Sequence, residues 1–296
     1  MIVHRLLCVA LLALMASPGM AQERCTAEPV ATLPIVMLGG KVLVPVQIND
    51  QPVLFAVDTG SNVSAVSETV VSRMKLPTFP IRANTRVTGI GGVEATAYAR
   101  IDSLVLGNLK ASGERYMVGP FDSDGLLGSD YLRNFDLDFD FAANQMSLYR
   151  PRACTDHPPG AGTFSRVEMD VLRSGHVRIP VTLDGKKLWA MLDTGAPGTL
   201  VTASAAASNF GVKAAEDRRF TIAGAPGGTT QIAPHMFESF AIGDFSEPLP
   251  VLAVAADNDV RFQESQMLLG MAQLRGLRLY LSYRERNLYV SRPAAR

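Results

Sequence analysis

The sequence predicts an all-β chain with a few short helices, folded as two similar lobes about a pseudo-twofold axis. Three observations predict it. Residues 53–66 read Val-Leu-Phe-Ala-Val-Asp-Thr-Gly-Ser-Asn-Val-Ser-Ala-Val and residues 188–201 read Leu-Trp-Ala-Met-Leu-Asp-Thr-Gly-Ala-Pro-Gly-Thr-Leu-Val, so an apolar run ending in Asp-Thr-Gly occurs twice. Ahead of the first copy, Val42, Val44, Val46 and Ile48 alternate with other residues in the two-residue period of a half-buried strand. The duplication also extends far beyond the tripeptide, and an internal repeat is the stronger clue to architecture.

At a shift of 135, Val42, Pro45, Val46 and Asn49 fall on Val177, Pro180, Val181 and Asp184. Each half therefore opens with a strand, a polar turn and a second strand, the pattern of a hairpin. Downstream, Gly89-Ile-Gly-Gly92 meets Gly224-Ala-Pro-Gly227, and Leu104-Val-Leu-Gly107 meets Phe240-Ala-Ile-Gly243 at a shift of 136. Leu126-Leu-Gly128 meets Leu268-Leu-Gly270, and Tyr149-Arg-Pro151 meets Ser291-Arg-Pro293, both at 142, which places an insertion of the second half within residues 244–266. One Asp-Thr-Gly is weak evidence, since Asp and Gly both favour turns. Two, inside a repeat, point to two carboxylates, Asp58 and Asp193, brought face to face.

On these paired Asp-Thr-Gly and Leu-Leu-Gly motifs the chain resembles the retropepsin-like aspartic proteases of the pepsin clan, in a form with two fused lobes. The resemblance covers nearly all of the chain after its first residues. It implies the bilobal acid-protease fold, an aspartic endopeptidase activity on a peptide or protein substrate, and catalysis by Asp58 and Asp193, one from each lobe. It also implies that Thr59 and Thr194 bond across the lobe interface. Gly60 and Gly195 permit a tight backbone that presents amides to the carboxylates, and Ser61 against Ala196 makes the two surroundings unequal, with the Ser61 side expected to favour the ionised form.

The glycine-rich stretches do not read as a dinucleotide loop, because Glu94 stands where the third glycine belongs and no strand-to-helix context surrounds them. By the resemblance they are flaps that close over a bound peptide: Gly89, Ile90, Gly91 and Gly92 in the first lobe, Ala223, Gly224 and Ala225 in the second. The resemblance further sets the strands at Asp124–Asp130 and Met267–Met271 beside the Asp loops, each followed by a helix, at Tyr131–Phe135 and Ala272–Leu277. Ala272 stands where the first copy has Asp130, which weakens local support there. A closing hairpin is expected in each half, Leu137–Tyr149 and Leu277–Val290.

Residues 1–21 combine His4 and Arg5, an apolar run from Leu6 to Met15 and a small-residue end at Ala21, the plan of a signal peptide, so export to the periplasm or medium is expected. No later segment is apolar enough to insert stably in a membrane. Lys+Arg and Asp+Glu are both 28, so no basic field draws nucleic acid. Cys25 and Cys154 remain after residue 21, an even count in an exported chain, and a disulfide between them is expected to stabilise by roughly 2–5 kcal/mol. His157, His176 and His235 lack ligand spacing, so neither metal nor other cofactor is expected. Helices are expected at 67–76, capped by Ser67, and at 202–210, stopped by Gly211.

Three prolines and two glycines between Arg150 and Gly162 mark a boundary. The resulting division is signal peptide 1–21, N-terminal lobe 22–150, linker 151–162 and C-terminal lobe 163–296. So short a linker favours pairing of the lobes within one chain and a monomer. Asn62-Val63-Ser64 matches a glycosylation acceptor but directly follows the Asp loop, where a glycan would block the site. No Gly-x-Ser-x-Gly elbow, Walker loop or His-Glu-x-x-His helix occurs. The rival from another class is a non-catalytic peptide-binding or envelope scaffold protein that retains this fold.

Overall fold

Two tight turns open the two halves in the same way. Lys41–Ile48 reverses at Asn49 and Asp50 (φ 48° and 65°) into Gln51–Val57, and Val177–Leu183 reverses at Asp184 and Gly185 (φ 44° and 73°) into Lys186–Leu192. Two consecutive positive φ values give the hairpin turn whose twist matches that of the strands. The turn side chains then reach the next hairpin, where Asn49 Oδ1 accepts from the Ser103 amide at 2.9 Å and Asp184 Oδ1 from the Ser239 amide at 2.8 Å. The computed structural model in which this is seen describes residues 26–81, 95, 97–152, 158–159, 163–212, 220–223, 229–257 and 264–292.

The N-terminal sheet runs in the order Val36–Leu38, Lys41–Ile48, Gln51–Val57, Gly125–Leu127, Ala65–Ser67, Leu109–Gly119, Ala97–Leu106 and Thr78–Pro80. Ala97–Leu106 also pairs back onto Lys41–Ile48, with Gln47 opposite Val105 and Ile48 opposite Leu104, which closes the sheet on itself. Closure leaves only two three-residue strands, Val36–Leu38 and Thr78–Pro80, at the ends of this order.

The C-terminal sheet repeats this circuit, except that the long hairpin is broken into Thr229–Met236 and Ser239–Ile242 on one arm and Phe245–Pro248 and Val251–Ala255 on the other. The break is held by Leu249, at φ 49°, whose amide bonds the Glu238 carbonyl, and by the Phe237 amide on the Pro250 carbonyl. Only residues 120–124 separate Gly119 from Gly125–Leu127, whereas residues 256–266 separate Ala255 from Met267–Leu269. The inserted residues thus fall between Ala255 and Met267, within the expected range.

Helix α1, Glu68–Met74, is capped by Ser67, which accepts from the Val70 amide. Helix α2 is Ser129–Leu132, and α3, Ala203–Phe210, is capped by Thr202 and ended by Gly211 at φ 68°. Helix α4 is Met271–Leu274. The sequence places α2 and α4 too late and ends them too far on. Both begin directly after an extended glycine, Gly128 or Gly270, and the chain beyond α2 tightens into bonds from Asn134 to Tyr131 and Phe135 to Leu132.

A third sheet of six strands belongs to both halves: Ala31–Pro34, Gln145–Tyr149, Asp136–Asp140, Arg278–Ser282, Asn287–Ser291 and Ser165–Glu168. The two closing hairpins, expected as separate features of each half, are its middle four strands and join antiparallel with Leu137 opposite Leu281 and Phe139 opposite Leu279. These four side chains face an apolar core that is continuous through both halves. On the other face Tyr149, Tyr280 and Tyr289 cluster under Ala27 and Phe164. Arg278 there crosses between halves to grip Asp138, Nε to Oδ1 at 3.0 Å and Nη2 to Oδ2 at 2.7 Å.

Candidate active site

Each Asp-Thr-Gly follows directly on a strand and remains tied to its sheet. The Asp58 amide donates to the Leu127 carbonyl and the Asp193 amide to the Leu269 carbonyl, both at 3.0 Å. The loop then turns so that the Gly60 amide donates to Asp58 Oδ1 and the Gly195 amide to Asp193 Oδ1, again both at 3.0 Å. A carboxylate accepting a backbone amide is fixed in direction.

The two loops are locked to each other by their threonines. Thr59 Oγ1 donates to the Leu192 carbonyl at 2.7 Å while accepting from the Thr194 amide at 3.1 Å. Thr194 Oγ1 donates to the Val57 carbonyl at 2.6 Å while accepting from the Thr59 amide at 3.2 Å. Both threonines are fully buried, so these four bonds face no competition from water.

The lock leaves each carboxyl lying over the glycine of the opposite loop. A β-carbon on Gly60 would stand 2.6 Å from Asp193 Oδ1, and one on Gly195 would stand 2.6 Å from Asp58 Oδ1. Only glycine admits the partner's carboxyl at such a position. The surroundings are unequal, for Asp193 is 2 % exposed and Asp58 is partly open. Ser61, expected to act on Asp58, directs its hydroxyl to the Val63 carbonyl at 2.8 Å. Tyr283, enclosed where the strand Arg278–Ser282 ends, has its phenol pushed up by burial first and then by the charge of Asp58.

Support from behind follows the repeat with one substitution. The Ser61 carbonyl accepts from the Ser129 amide at 2.8 Å, and the Ala196 carbonyl from the Met271 amide at 2.9 Å, so α2 and α4 each begin on the chain just after an Asp-Thr-Gly. Ser64 Oγ takes the Gly128 amide and donates to Asp130 Oδ1 at 2.6 Å, while the Ser64 amide donates to Asp130 Oδ2 at 2.9 Å. In the other half Thr199 Oγ1 takes the Gly270 amide, but Ala272 offers no carboxylate.

Ser64 and Thr199 escaped the sequence reading, although both are hydroxyl residues 135 apart in the repeat. Gly40 and Gly175, also 135 apart, escaped it too. At φ 76° and 90° they bring a hairpin tip of each half against the other, Gly40 beside Pro197 and Gly175 beside Ser129.

Of the expected flap residues, Ala223 ends the strand Phe220–Ala223, which pairs with Thr229–Met236. Gly89, Ile90, Gly91, Gly92, Gly224 and Ala225 lie outside the described residues, as do Cys25 and Cys154.

No curated protein matches the chain. A family model described as aspartyl protease matches it twice, over residues 44–131 and 179–272, together more than half its length. Each match contains one Asp-Thr-Gly, one supporting glycine and the start of the helix behind it. With the motif duplicated and the two matches folded on one plan, the chain belongs to the aspartyl protease family.

Proposed function

We propose that the chain is an exported aspartic endopeptidase that hydrolyses peptide bonds with a water shared between Asp58 and Asp193. The observation that carries this reading is the reciprocal packing of each carboxyl over the other loop's glycine, held by the buried threonine lock. The reaction needs one proton held between the two carboxyl groups. The ionised member takes a proton from the water as it attacks the carbonyl carbon, the protonated member polarises the carbonyl oxygen, and a proton then passes to the leaving nitrogen.

An extended peptide would lie between the two halves, adding backbone bonds as a strand does while alternate side chains enter pockets. The lock within one chain supports a monomer, and solution mass at dilute concentration tests it. Export rests on residues 1–21. A Cys25–Cys154 bond is part of the same proposal; of the neighbouring residues, Ala27 packs on the tyrosine face of the six-stranded sheet and the Arg152 amide donates to Asp136 on that face. An intact mass beginning at Gln22 and lighter by two hydrogens tests both.

The deciding experiment is cleavage of a diverse peptide library between about pH 3 and 7 by the protein, by Asp58→Asn and by Asp193→Asn. General acid–base groups are worth roughly 10²–10⁴ in rate, so each substitution is expected to remove nearly all turnover. Peptide binding by the parent without cleavage would establish the scaffold reading instead.

A further inference from the structure

The faces of the two barrels on the side of the aspartates are not alike. In the N-terminal half, strand register sets Ala56 beside Leu126, Leu126 beside Ala65, Ala65 beside Met117 and Met117 beside Tyr98. Residues paired in this way share one face of a sheet, and their neighbours Phe55, Val57, Val66 and Leu127 point the other way into the main core. The C-terminal row in the same register is Met191, Leu268, Leu200, Ala253 and Pro234.

Each row starts two residues before an aspartate whose amide still bonds the sheet, so strand alternation puts Ala56 on the side of Asp58's carboxyl and Met191 on that of Asp193. Val63 of the first Asp loop, with Ile81, Ala95 and Phe121, borders the first row, and Ala196 of the second loop, with Ile232, borders the second. Both rows are apolar throughout. They differ in where the bulk lies: the end nearest the aspartate is Ala-Leu-Ala in one half and Met-Leu-Leu in the other.

Resting on the peptidase reading above, we propose that the subsites flanking the aspartates accept side chains of unequal size. The N-terminal subsite, floored by Ala56 and Ala65 and walled by Met117, Tyr98 and Phe121, takes a large apolar or aromatic side chain. The C-terminal subsite, where Met191 and Leu200 already fill the same places, takes a small one. The substrate class is therefore an extended peptide with a bulky apolar residue on one side of the scissile bond and a small residue on the other. An apolar floor rejects charged side chains, because they would be desolvated without a partner.

The test profiles library cleavage by the parent protein, Ala65→Leu and Leu200→Ala, with folding of each checked by thermal melting. In the parent a bulky apolar side chain is expected to exceed alanine by about tenfold or more at one position and to be disfavoured at the other. Ala65→Leu is expected to shift the first position towards small side chains, and Leu200→Ala to widen only the second. The same preferences are read without turnover from fluorescent-peptide binding to the Asp58→Asn, Asp193→Asn double variant.

Equal size preference on both sides of the bond in the parent overturns the inference, whether or not the variants fold. Preferences that neither substitution moves in folded protein also overturn it, and leave the peptidase reading standing. Size-selective binding with no cleavage by the parent does the reverse. Absence of both cleavage and binding overturns both.

Discussion

Replacing Thr59 with valine keeps the shape of the side chain and deletes one oxygen. That oxygen donates to the Leu192 carbonyl at 2.7 Å and accepts from the Thr194 amide at 3.1 Å, in a place with no exposure to solvent. Loss of a partner costs a buried polar group about 1–3 kcal/mol, so two such groups cost about 2–6 kcal/mol. A typical domain has only about 5–15 kcal/mol in total. The other half of the lock loses only a long 3.5 Å contact from Thr194 Oγ1 to the deleted oxygen and keeps its shorter bonds to the Val57 carbonyl and from the Thr59 amide. Thr59→Val is therefore expected to fold but to unfold at a distinctly lower urea midpoint with an unchanged slope. Thr59→Ser retains the oxygen and is expected to stay within about 1 kcal/mol of the parent, allowing for the lost methyl. A loss below about 1 kcal/mol for valine, or a serine variant as damaged as the valine one, would refute the lock as an energetic feature.

Three further outcomes are expected. Gly60→Ala should abolish both peptide cleavage and peptide binding, because its β-carbon meets the Asp193 carboxyl, while Gly198→Ala in the same region meets nothing within 4 Å and should be tolerated; equal activity of the two would contradict the packing. Arg278→Leu leaves Asp138, whose side chain is 6 % exposed, without its charge partner, and a destabilisation of about 3–5 kcal/mol in urea melts is expected, much of it recovered when Asp138 is also made apolar. Asp136 is held above its ordinary value of 3.8 chiefly by burial, against bonds from Ser282, the Arg152 amide and Tyr280. A raised carboxyl favours the fold when protonated, so its penalty grows as pH climbs from about 3.8 through the folded value and then levels off. Asp136→Asn should accordingly gain stability relative to the parent over that rise, and parallel stability curves from pH 3 to 7 would count against it.

The hairpins and longer helices were legible because their causes are local. Asn49-Asp50 and Asp184-Gly185 tolerate positive φ, and Ser67 and Thr202 cap the helices they precede. The limits of α2 and α4 were not, because they are set by where Gly128 and Gly270 leave the neighbouring strand and by amides bonding Ser61 and Ala196 across the chain. Likewise nothing near Leu137 or Leu281 announces that they pair, since each strand reads as the end of its own half.

The sequence by itself determined the duplication, and with it the family and the two aspartates, because a repeat is a comparison of the chain with itself and needs no coordinates. It also determined which residue types sit at each turn and cap. Only the tertiary structure decided that the halves share a six-stranded sheet and which carbonyl of the opposite strand each threonine bonds. It alone decided that each carboxyl rests on the opposite glycine and that the apolar rows beside them differ in bulk. These features join residues more than a hundred positions apart, and the order in which closed sheets set strands side by side is fixed by packing of the whole core, which no local pattern of residues records.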